Sequence, residues 1–304
     1  MDSRRPLLPR GPRPAVTALA TMAAATALVA TLAGCSAAAP AGAATSSGGA
    51  AAAVGTGSAD SATASGDALW PVGAGFDYQL GGASPVPDGV SVVVRDSTDE
   101  PAGAGFDICY VNGFQTQPGA DWPESLLVHD ASGDLLIDPN WPDEFLLDVS
   151  TAENREALAA LQAPAIEGCA AAGFDAVEFD NLDSYHRSEG ALDLEDAVAF
   201  ATLLVQQTHD AGMVAAQKNT AELEARGRDE IGFDLAVVEE CDRWSECGDF
   251  AAVYGDRVLD VEYTDDLLDT FAETCEREDT PASTILRDRE LVPADDDAYV
   301  YERC

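Results

Sequence analysis

Residues 173–181 read Gly-Phe-Asp-Ala-Val-Glu-Phe-Asp-Asn, a short apolar run that follows a glycine and ends in acidic side chains. A run of this length, bounded by residues that favour turns, is typical of a strand buried on both faces. Because side chains alternate along a strand, Glu178 and Asp180 point to one face, and Val177 and Phe179 to the other. If the apolar pair packs against helices, both carboxylates face the interior of the sheet.

Similar apolar runs recur from residue 70 to residue 304, and helical patterns separate most of the later ones. Alternating strands and helices favour a parallel sheet, and eight strands in a domain of this size favour an α/β fold of the (β/α)8 TIM-barrel type. An open doubly wound sheet is the alternative, although no GxGxxG loop is present to bind a dinucleotide. The predicted strands span residues 76–80, 91–95, 106–111, 145–149, 174–180, 213–218, 233–239 and 258–263.

Three helices are predicted between the later strands. The first follows a capping-box pattern that begins at Ser150, and Asp193 and Thr264 are expected to cap the second and third. The connection over residues 96–105 is too short for a full helix, which predicts one abbreviated crossover. The connection over residues 112–143 is long and carries two Trp, which suggests a lid or a sugar-stacking surface.

Acidic side chains follow several predicted strands, at the end where barrels of this type carry their chemistry. Asp148 ends the fourth strand, Glu239 and Glu240 end the seventh, and Glu262 lies near the end of the eighth. Lys218 ends the sixth strand and is a candidate partner for a buried acid. Two carboxylates that face each other across a barrel mouth suit glycoside hydrolysis, in which one protonates the leaving oxygen. A serine nucleophile is not indicated, because the sequence has no GxSxG motif.

The chain is strongly acidic, with 16 Lys and Arg against 55 Asp and Glu and a formal net charge of −39. This charge would repel phosphates, so nucleic acid is excluded as a partner. The hydrophobic content of 46% is sufficient for a folded core, so the charge belongs to a folded surface or a cleft. Solubility and attraction of a cationic substrate are both compatible with it.

Residues 1–34 have the features of an export signal, with four Arg followed by an apolar run rich in Ala. The Leu-Ala-Gly-Cys sequence at 32–35 fits a bacterial lipoprotein signal, so we expect Cys35 to be lipidated and to anchor the protein to the outer face of the membrane. An ordinary secretory signal is the alternative. Residues 35–69 are rich in Ala, Gly, Ser and Thr, which predicts a flexible tether to a barrel domain over residues 70–304.

Six cysteines follow the predicted lipidation site, and an even number in an exported protein suggests three disulfides. Fifteen pairings are possible. Cys241 and Cys247 could close a small loop, and Cys275 with Cys304 would tie down the C-terminus, which leaves Cys109 and Cys169. A zinc site is disfavoured, because the sequence has no CxxC motif and only three His.

Seven short motifs occur in order along the chain. They are FDYQL at 76–80, ICY at 108–110, LLDV at 146–149, GFDAVEFDNLDSY at 173–185, QKN at 217–219, EEC at 239–241 and VEY at 261–263. A Cys-x5-Cys pattern follows Glu240. Together these motifs resemble glycoside hydrolase family 114, the endo-α-1,4-polygalactosaminidase family of β/α barrels, and the strongest of them is the stretch over residues 173–185. One departure lies between the two acids of the strongest motif, where Phe179 occupies a position that is often Pro in the family.

The resemblance implies a retaining glycoside hydrolase that cleaves galactosamine-containing polysaccharide with two carboxylates and no cofactor or metal. By motif position, Asp180 would be the general acid/base and Glu239 the nucleophile. A non-catalytic carbohydrate-binding lipoprotein on the same barrel is the alternative, and calcium bound near Asp180 is a further one, although no EF-hand spacing is present. The residues expected to line the site are Glu178, Asn181, Asp183, Tyr110, Asp148, Lys218 and Glu262.

Overall fold

The structure, a computed structural model, describes residues 70, 71 and 73–304 of the 304-residue chain. The predicted signal peptide over residues 1–34, the lipidation site Cys35 and the tether over residues 35–69 lie outside the described residues. Export, lipidation and the domain boundary at residue 70 therefore stay predictions. Of the helices in the described part of the chain, none combines the length and apolar character needed to cross a membrane.

The described residues form a (β/α)8 barrel of the TIM type, as the sequence predicts. Nine strands form one sheet in chain order; the first eight are parallel, and the ninth pairs antiparallel with the eighth. The strands are β1 Gly75–Gln79, β2 Val90–Asp96, β3 Phe106–Asn112, β4 Ala176–Asp180, β5 Val214–Lys218, β6 Leu235–Glu239, β7 Val258–Tyr263, β8 Ser283–Arg287 and β9 Tyr301–Arg303.

Polar contacts join the first and eighth strands, where the barrel closes. Arg287 Nη1 lies 2.8 Å from Asp77 Oδ1 and also donates to the carbonyl of Tyr78. Ser283 Oγ donates to the carbonyl of Ala74 over 3.0 Å. Arg287 and Asp77 are fully buried, and a buried ion pair is tolerated only when its members are also hydrogen-bonded, as they are here.

Five helices cover the outside of the sheet in the described part of the chain. They are α1 Ala152–Ala172, α2 Leu194–Asp210, α3 Cys241–Trp244, α4 Cys247–Tyr254 and α5 Phe271–Glu276. The connections β1–β2 and β2–β3 contain no helix, so two crossovers are abbreviated where one was expected.

The residues that cap the helices agree only in part with the sequence predictions. Asp193 caps α2 as predicted, in a capping box with Asp196. The first helix begins one residue later than expected, because Thr151 and not Ser150 accepts the backbone N–H at the third helical position. The prediction of a helix capped by Thr264 was wrong, since α5 begins only after Thr270, whose hydroxyl caps it.

The predicted fourth strand over residues 145–149 was also wrong. These residues belong to the β3–α1 loop, which we define as residues 113–151, where Phe145, Leu146 and Leu147 form isolated antiparallel bridges. The sheet obtains its eighth parallel strand from β8, which the sequence analysis missed. Its sequence STILR begins with two polar residues and ends in Arg, so it lacks the continuous apolar run that marked the other strands.

Side chains alternate between the barrel interior and the helical layer along each strand. On β4, Ala176 lies in the interior cluster, whereas Val177 and Phe179 lie in the cluster that packs against the helices. On β7 the interior residues are Leu259 and Val261. The inner positions of β4 therefore include Glu178 and Asp180, as their spacing predicted.

Three disulfides fix the outer parts of the fold. Cys109 on β3 is bonded to Cys169 on α1, and Cys275 on α5 is bonded to Cys304 at the end of the chain. Cys241 and Cys247 connect α3 to α4. The pairing is the one that the sequence analysis expected.

Candidate active site

Interior side chains at the carboxyl ends of six strands converge at one mouth of the barrel. Because neighbouring parallel strands end on the same side, residues that are far apart in sequence become contacts there. The converging residues are Tyr78 on β1, Tyr110 on β3, Glu178 and Asp180 on β4, Lys218 on β5, Glu239 on β6 and Tyr263 on β7.

Lys218 lies at the centre of this group and is almost fully buried. Its Nζ lies 3.0 Å from Glu178 Oε1, 3.5 Å from Glu239 Oε2 and 3.6 Å from Asp180 Oδ2, and it donates to the Tyr78 hydroxyl over 2.8 Å. Burial lowers the pKa of Lys218, but the three carboxylates outweigh burial and raise the pKa well above its usual value. The ammonium therefore stays charged and offsets part of the negative charge at the mouth.

Asp180 and Glu239 are the two carboxylates of this group that remain partly exposed, with 20% and 16% of their side chains accessible. Asp180 Oδ2 accepts from the Tyr110 hydroxyl over 2.7 Å, and Oδ1 accepts from the Asn181 backbone N–H over 2.7 Å. Glu239 Oε1 accepts a hydrogen bond from the Tyr263 hydroxyl. Both carboxylates are held in place and can still meet a substrate.

The shared ammonium limits the distance between these two carboxylates. Oxygens of Asp180 and Glu239 that lie 3.6 Å and 3.5 Å from the same nitrogen are at most about 7 Å apart. The two carboxyl groups are about 5–5.5 Å apart in retaining glycosidases and about 6.5–9.5 Å apart in inverting ones. The limit is compatible with the retaining spacing.

Glu178 does not line the accessible part of the mouth, where the sequence analysis expected it. Its side chain is fully buried, and Oε1 accepts from the Tyr78 hydroxyl over 2.7 Å. Burial raises the pKa of Glu178 to about 6, although Lys218 opposes this shift. Glu178 is therefore a buried ion-pair partner that helps to position the Lys218 ammonium.

Asn181 and Asp183 lie just beyond Asp180, and both contact Arg187. Asn181 Oδ1 accepts from Arg187 Nη2 over 3.0 Å, and Asp183 Oδ2 lies 2.9 Å from Nη1. Both residues are partly exposed. The structure brings both residues next to Asp180, and their contact with sugar stays a prediction. Arg187, which lies seven residues after the end of β4, was not predicted from the sequence.

Two predicted site residues lie elsewhere. Asp148 is in the β3–α1 loop, where its carboxylate accepts hydrogen bonds from the backbone and hydroxyl of Ser150. Glu262 is on the outer face of β7, because Val261 occupies the interior position next to it, and its Oε1 accepts from the Asp242 N–H over 2.9 Å. Neither prediction of a substrate-lining role is supported.

The sequence analysis also missed three supporting residues, Tyr78, Asn219 and Tyr263. The two tyrosines occupy interior positions near the ends of predicted strands, so the same alternation that identified Asp180 could have found them. Asn219 follows Lys218 directly, and its Oδ1 accepts the Glu239 N–H over 2.8 Å. This contact requires β5 to pair with β6, and that pairing could not be deduced from the sequence alone.

The donor sets do not favour a metal at the mouth. An ammonium, Lys218, occupies the space between the carboxylates that calcium would need, and Asp183 is engaged with Arg187. Cys241, Cys247 and Asp260 form a group of potential metal ligands on the outer layer, but the two sulfurs are joined in a disulfide.

Comparison with known proteins agrees with this geometry. The sequence model of glycoside hydrolase family GH114 matches residues 58–304. Among solved structures, Ega3 of Aspergillus fumigatus in complex with galactosamine is similar at a TM-score of 0.60 and 21% identity, over 78% of this chain and 97% of that one. A variant of the glycoside hydrolase domain of PelA from Pseudomonas aeruginosa is similar at a TM-score of 0.50 and 15% identity, over 71% and 95%.

Among curated proteins, none matches the chain. At these identities the two solved structures support the (β/α)8 fold alone. The family match covers more than two thirds of the sequence and all of the strands whose ends form the mouth. The chain is therefore a glycoside hydrolase that belongs to family GH114.

Proposed function

We propose that this protein hydrolyses α-1,4-linked galactosamine-containing polysaccharide with retention of configuration at the anomeric carbon. The observation that carries the proposal is the pair Asp180 and Glu239, both partly exposed and both within 3.6 Å of the buried ammonium of Lys218. Two carboxyl groups that flank one cleft are the minimum machinery for glycoside hydrolysis.

We assign the two roles by motif position, with Glu239 as the nucleophile and Asp180 as the general acid/base. In the first step Glu239 attacks the anomeric carbon, and Asp180 gives its proton to the oxygen of the departing sugar. In the second step Asp180 removes a proton from water, which attacks the anomeric carbon and releases Glu239. The Lys218 ammonium and the Tyr263 hydroxyl hold the Glu239 carboxylate in place.

Charge supports an amino sugar as the substrate. The described mouth carries three carboxylates against one ammonium, and the whole chain has a formal net charge of −39. A polymer of partly deacetylated galactosamine is cationic and would be attracted to such a surface. The structural relative Ega3 was solved with galactosamine, which is consistent with this class of ligand.

The direct test is to incubate the purified domain with partly deacetylated polygalactosamine and to measure new reducing ends. We expect Asp180→Asn and Glu239→Gln each to lower the rate by at least about 10³-fold. Glu230→Gln is a matched control, because Glu230 is an exposed acid that pairs with Arg226 on the surface. Equal rates for wild type and both mouth variants would reject catalysis by this pair.

The stereochemistry has its own measurement. Proton NMR of the first product formed should show the α-anomer before mutarotation, and a 2-fluoro sugar should label Glu239 covalently. A β-anomer as first product would reject the retaining mechanism. Binding that survives both substitutions, with no product from the wild type, would instead favour the non-catalytic carbohydrate-binding protein.

We also propose that the enzyme acts at the outer face of the cell membrane, anchored through a lipid on Cys35. The support is the sequence pattern at residues 32–35. Cys35→Ser should move the protein from the membrane fraction to the medium, and an unchanged membrane fraction would contradict the anchor.

A further inference from the structure

Arg187 is a second buried cation, besides Lys218, near the catalytic residues. Its side chain is 9% exposed. Nε donates to Asp138 Oδ2 over 2.5 Å, Nη1 lies 2.9 Å from Asp183 Oδ2, and Nη2 donates to Asn181 Oδ1 over 3.0 Å. A guanidinium presents its donors in a fixed planar fork, so the three partners are oriented relative to one another by one rigid group.

One arm of this fork reaches the β3–α1 loop. Asp138 belongs to that loop, is fully buried, and accepts a second hydrogen bond from Gln115 Nε2 over 2.6 Å. A second link joins the loop to the end of β3, where Asn112 Nδ2 donates to Glu144 Oε2 over 3.0 Å. The loop is thus tied by buried polar contacts to the strand ends that form the mouth.

Another arm of the fork reaches the residue that follows Asp180. Asn181 has a positive φ of 63°, an uncommon backbone conformation that its side-chain contacts help to hold. Its backbone N–H donates to Asp180 Oδ1, and its Nδ2 donates to Asn112 Oδ1 over 3.0 Å. The orientation of one Asp180 oxygen therefore depends on the backbone of Asn181, which Arg187 holds through the side chain.

We propose that Arg187 is a positioning residue that fixes the carboxylate of Asp180 through Asn181 and holds the β3–α1 loop against the barrel mouth. The proposal rests on the proposed catalytic role of Asp180. It assigns to Asp183 and Asp138 the task of orienting Arg187, rather than a direct contact with sugar.

The conservative variant Arg187→Lys tests geometry separately from charge. A lysine keeps the positive charge between Asp138 and Asp183 but places it on one nitrogen, which cannot reach three partners in the same directions. A misplacement of about 1 Å at a catalytic group can lower a rate by about 10²-fold. Arg226→Lys is the matched control, since Arg226 pairs with Glu195 and Glu230 on the exposed surface.

The experiment combines hydrogen exchange with kinetics on the purified protein. For Arg187→Lys we expect faster amide exchange in peptides that cover residues 136–146 and 178–188. On partly deacetylated galactosamine oligomers we expect kcat to fall by about 10- to 100-fold with KM within threefold of wild type. Arg226→Lys should leave exchange in both peptides, kcat and KM unchanged.

Three outcomes would overturn the proposal directly, and a fourth would remove the proposed function on which it rests. Unchanged exchange in both peptides would show that Arg187 holds neither segment, whatever the substrate turns out to be. Faster exchange with unchanged kcat would show that Asp180 does not depend on Arg187. A rise in KM with unchanged kcat would indicate a direct contact between Arg187 and sugar. If wild type cleaves no galactosamine polymer while Arg187→Lys accelerates exchange, the proposed function fails, and with it the positioning of a catalytic group.

Discussion

Two strands of the barrel carry the same kind of acidic pair, and the fold treats them differently. On β4 the pair Glu178 and Asp180 is separated by one apolar residue, and on β7 Asp260 and Glu262 are separated by one apolar residue. The β4 pair faces the interior, where Lys218 contacts both acids. The β7 pair faces the helical layer.

The outer pair has no cation of its own among its described contacts. Asp260 Oδ1 accepts from the Cys241 N–H over 3.3 Å, and Glu262 Oε1 accepts from the Asp242 N–H over 2.9 Å. The second oxygen of each acid is buried and has no hydrogen-bond partner within the described residues. Burial raises the pKa of Asp260 and raises that of Glu262 to about 7.

The difference shows what makes an acidic pair suitable for catalysis in this fold. At the mouth, an ammonium and two tyrosine hydroxyls keep Asp180 and Glu239 in place while one edge of each stays open. In the outer layer, an acid without a cation lowers its cost of burial by keeping a proton. The same kind of side chain is therefore held beside an ammonium at the mouth and keeps a proton in the outer layer.

Removing the ammonium should have the largest effect, because it makes the mouth resemble the outer pair. We expect Lys218→Met to lower kcat/KM by about 10³-fold or more and to destabilise the fold by about 3–5 kcal/mol at pH 7, since it leaves buried carboxylates uncompensated. Reducing-end assays and urea unfolding measure the two effects. Met is similar in length to Lys, so the comparison isolates the charge, and near-wild-type activity would contradict the role assigned to Lys218.

Glu178→Gln should have a smaller effect at the same site. The variant keeps the shape and one acceptor for Tyr78 but removes a charge that Lys218 contacts at 3.0 Å. We expect kcat/KM to fall by about 10- to 100-fold, because the orientation of the ammonium toward Asp180 and Glu239 is loosened. A loss as large as that of Asp180→Asn would instead assign Glu178 a direct part in the reaction.

The β7 pair, Asp260 and Glu262, should affect the free energy of unfolding without changing the rate of the reaction. The pKa of Glu262 is raised to about 7 from an ordinary value near 4.5, so the folded state binds more protons than the unfolded state between these two values. The protonated Glu262 side chain therefore contributes fully to the free energy of unfolding below about pH 4.5, and this contribution is lost as the pH rises through about 7.

Glu262→Gln tests this window. The amide cannot ionise, so the variant should be more stable than wild type above pH 7, by roughly 2–3 kcal/mol, with kcat unchanged. Urea unfolding at intervals from pH 4.5 to pH 8 gives the comparison. Parallel pH profiles for wild type and variant would show that Glu262 does not hold the proton.

The contrast between the two pairs also explains where sequence reasoning succeeded and where it failed. The cap at Asp193 and the alternation through Asp180 are local features, so the sequence predicted them correctly. Glu262 was misplaced because the inward face of β7 is set by its pairing with β6 and β8. One residue of register moves a whole set of side chains from one face to the other.

The eighth strand failed for a related reason. On β8, Ser283 and Arg287 satisfy their polar side chains through partners at or next to β1 and in the chain beyond β8. Without these partners the sequence of β8 is typical of a loop. The apolar run at residues 145–149 was therefore counted as one of the eight predicted strands instead. Long-range pairing decided both errors. Arg187 was missed because one of its partners, Asp138, lies in the distant β3–α1 loop.

Raising the salt concentration should produce the smallest change in activity. Its effect distinguishes the role of the acids inside the mouth from the role of the acids on the surface. Charges in contact inside the mouth are little screened, whereas surface acids that attract a polymer act over distances comparable with the Debye length, about 30 Å at 0.01 M salt and 8 Å at 0.15 M. If surface charge steers a cationic substrate, raising salt over this range should lower kcat/KM severalfold by lowering the association rate, with kcat unchanged.

The matched substrate is the same polymer after N-acetylation, whose rate of cleavage should not respond to salt. Equal salt responses for both polymers would assign the surface acids to solubility alone, and a fall in kcat would mean that salt reaches the Lys218 contacts themselves.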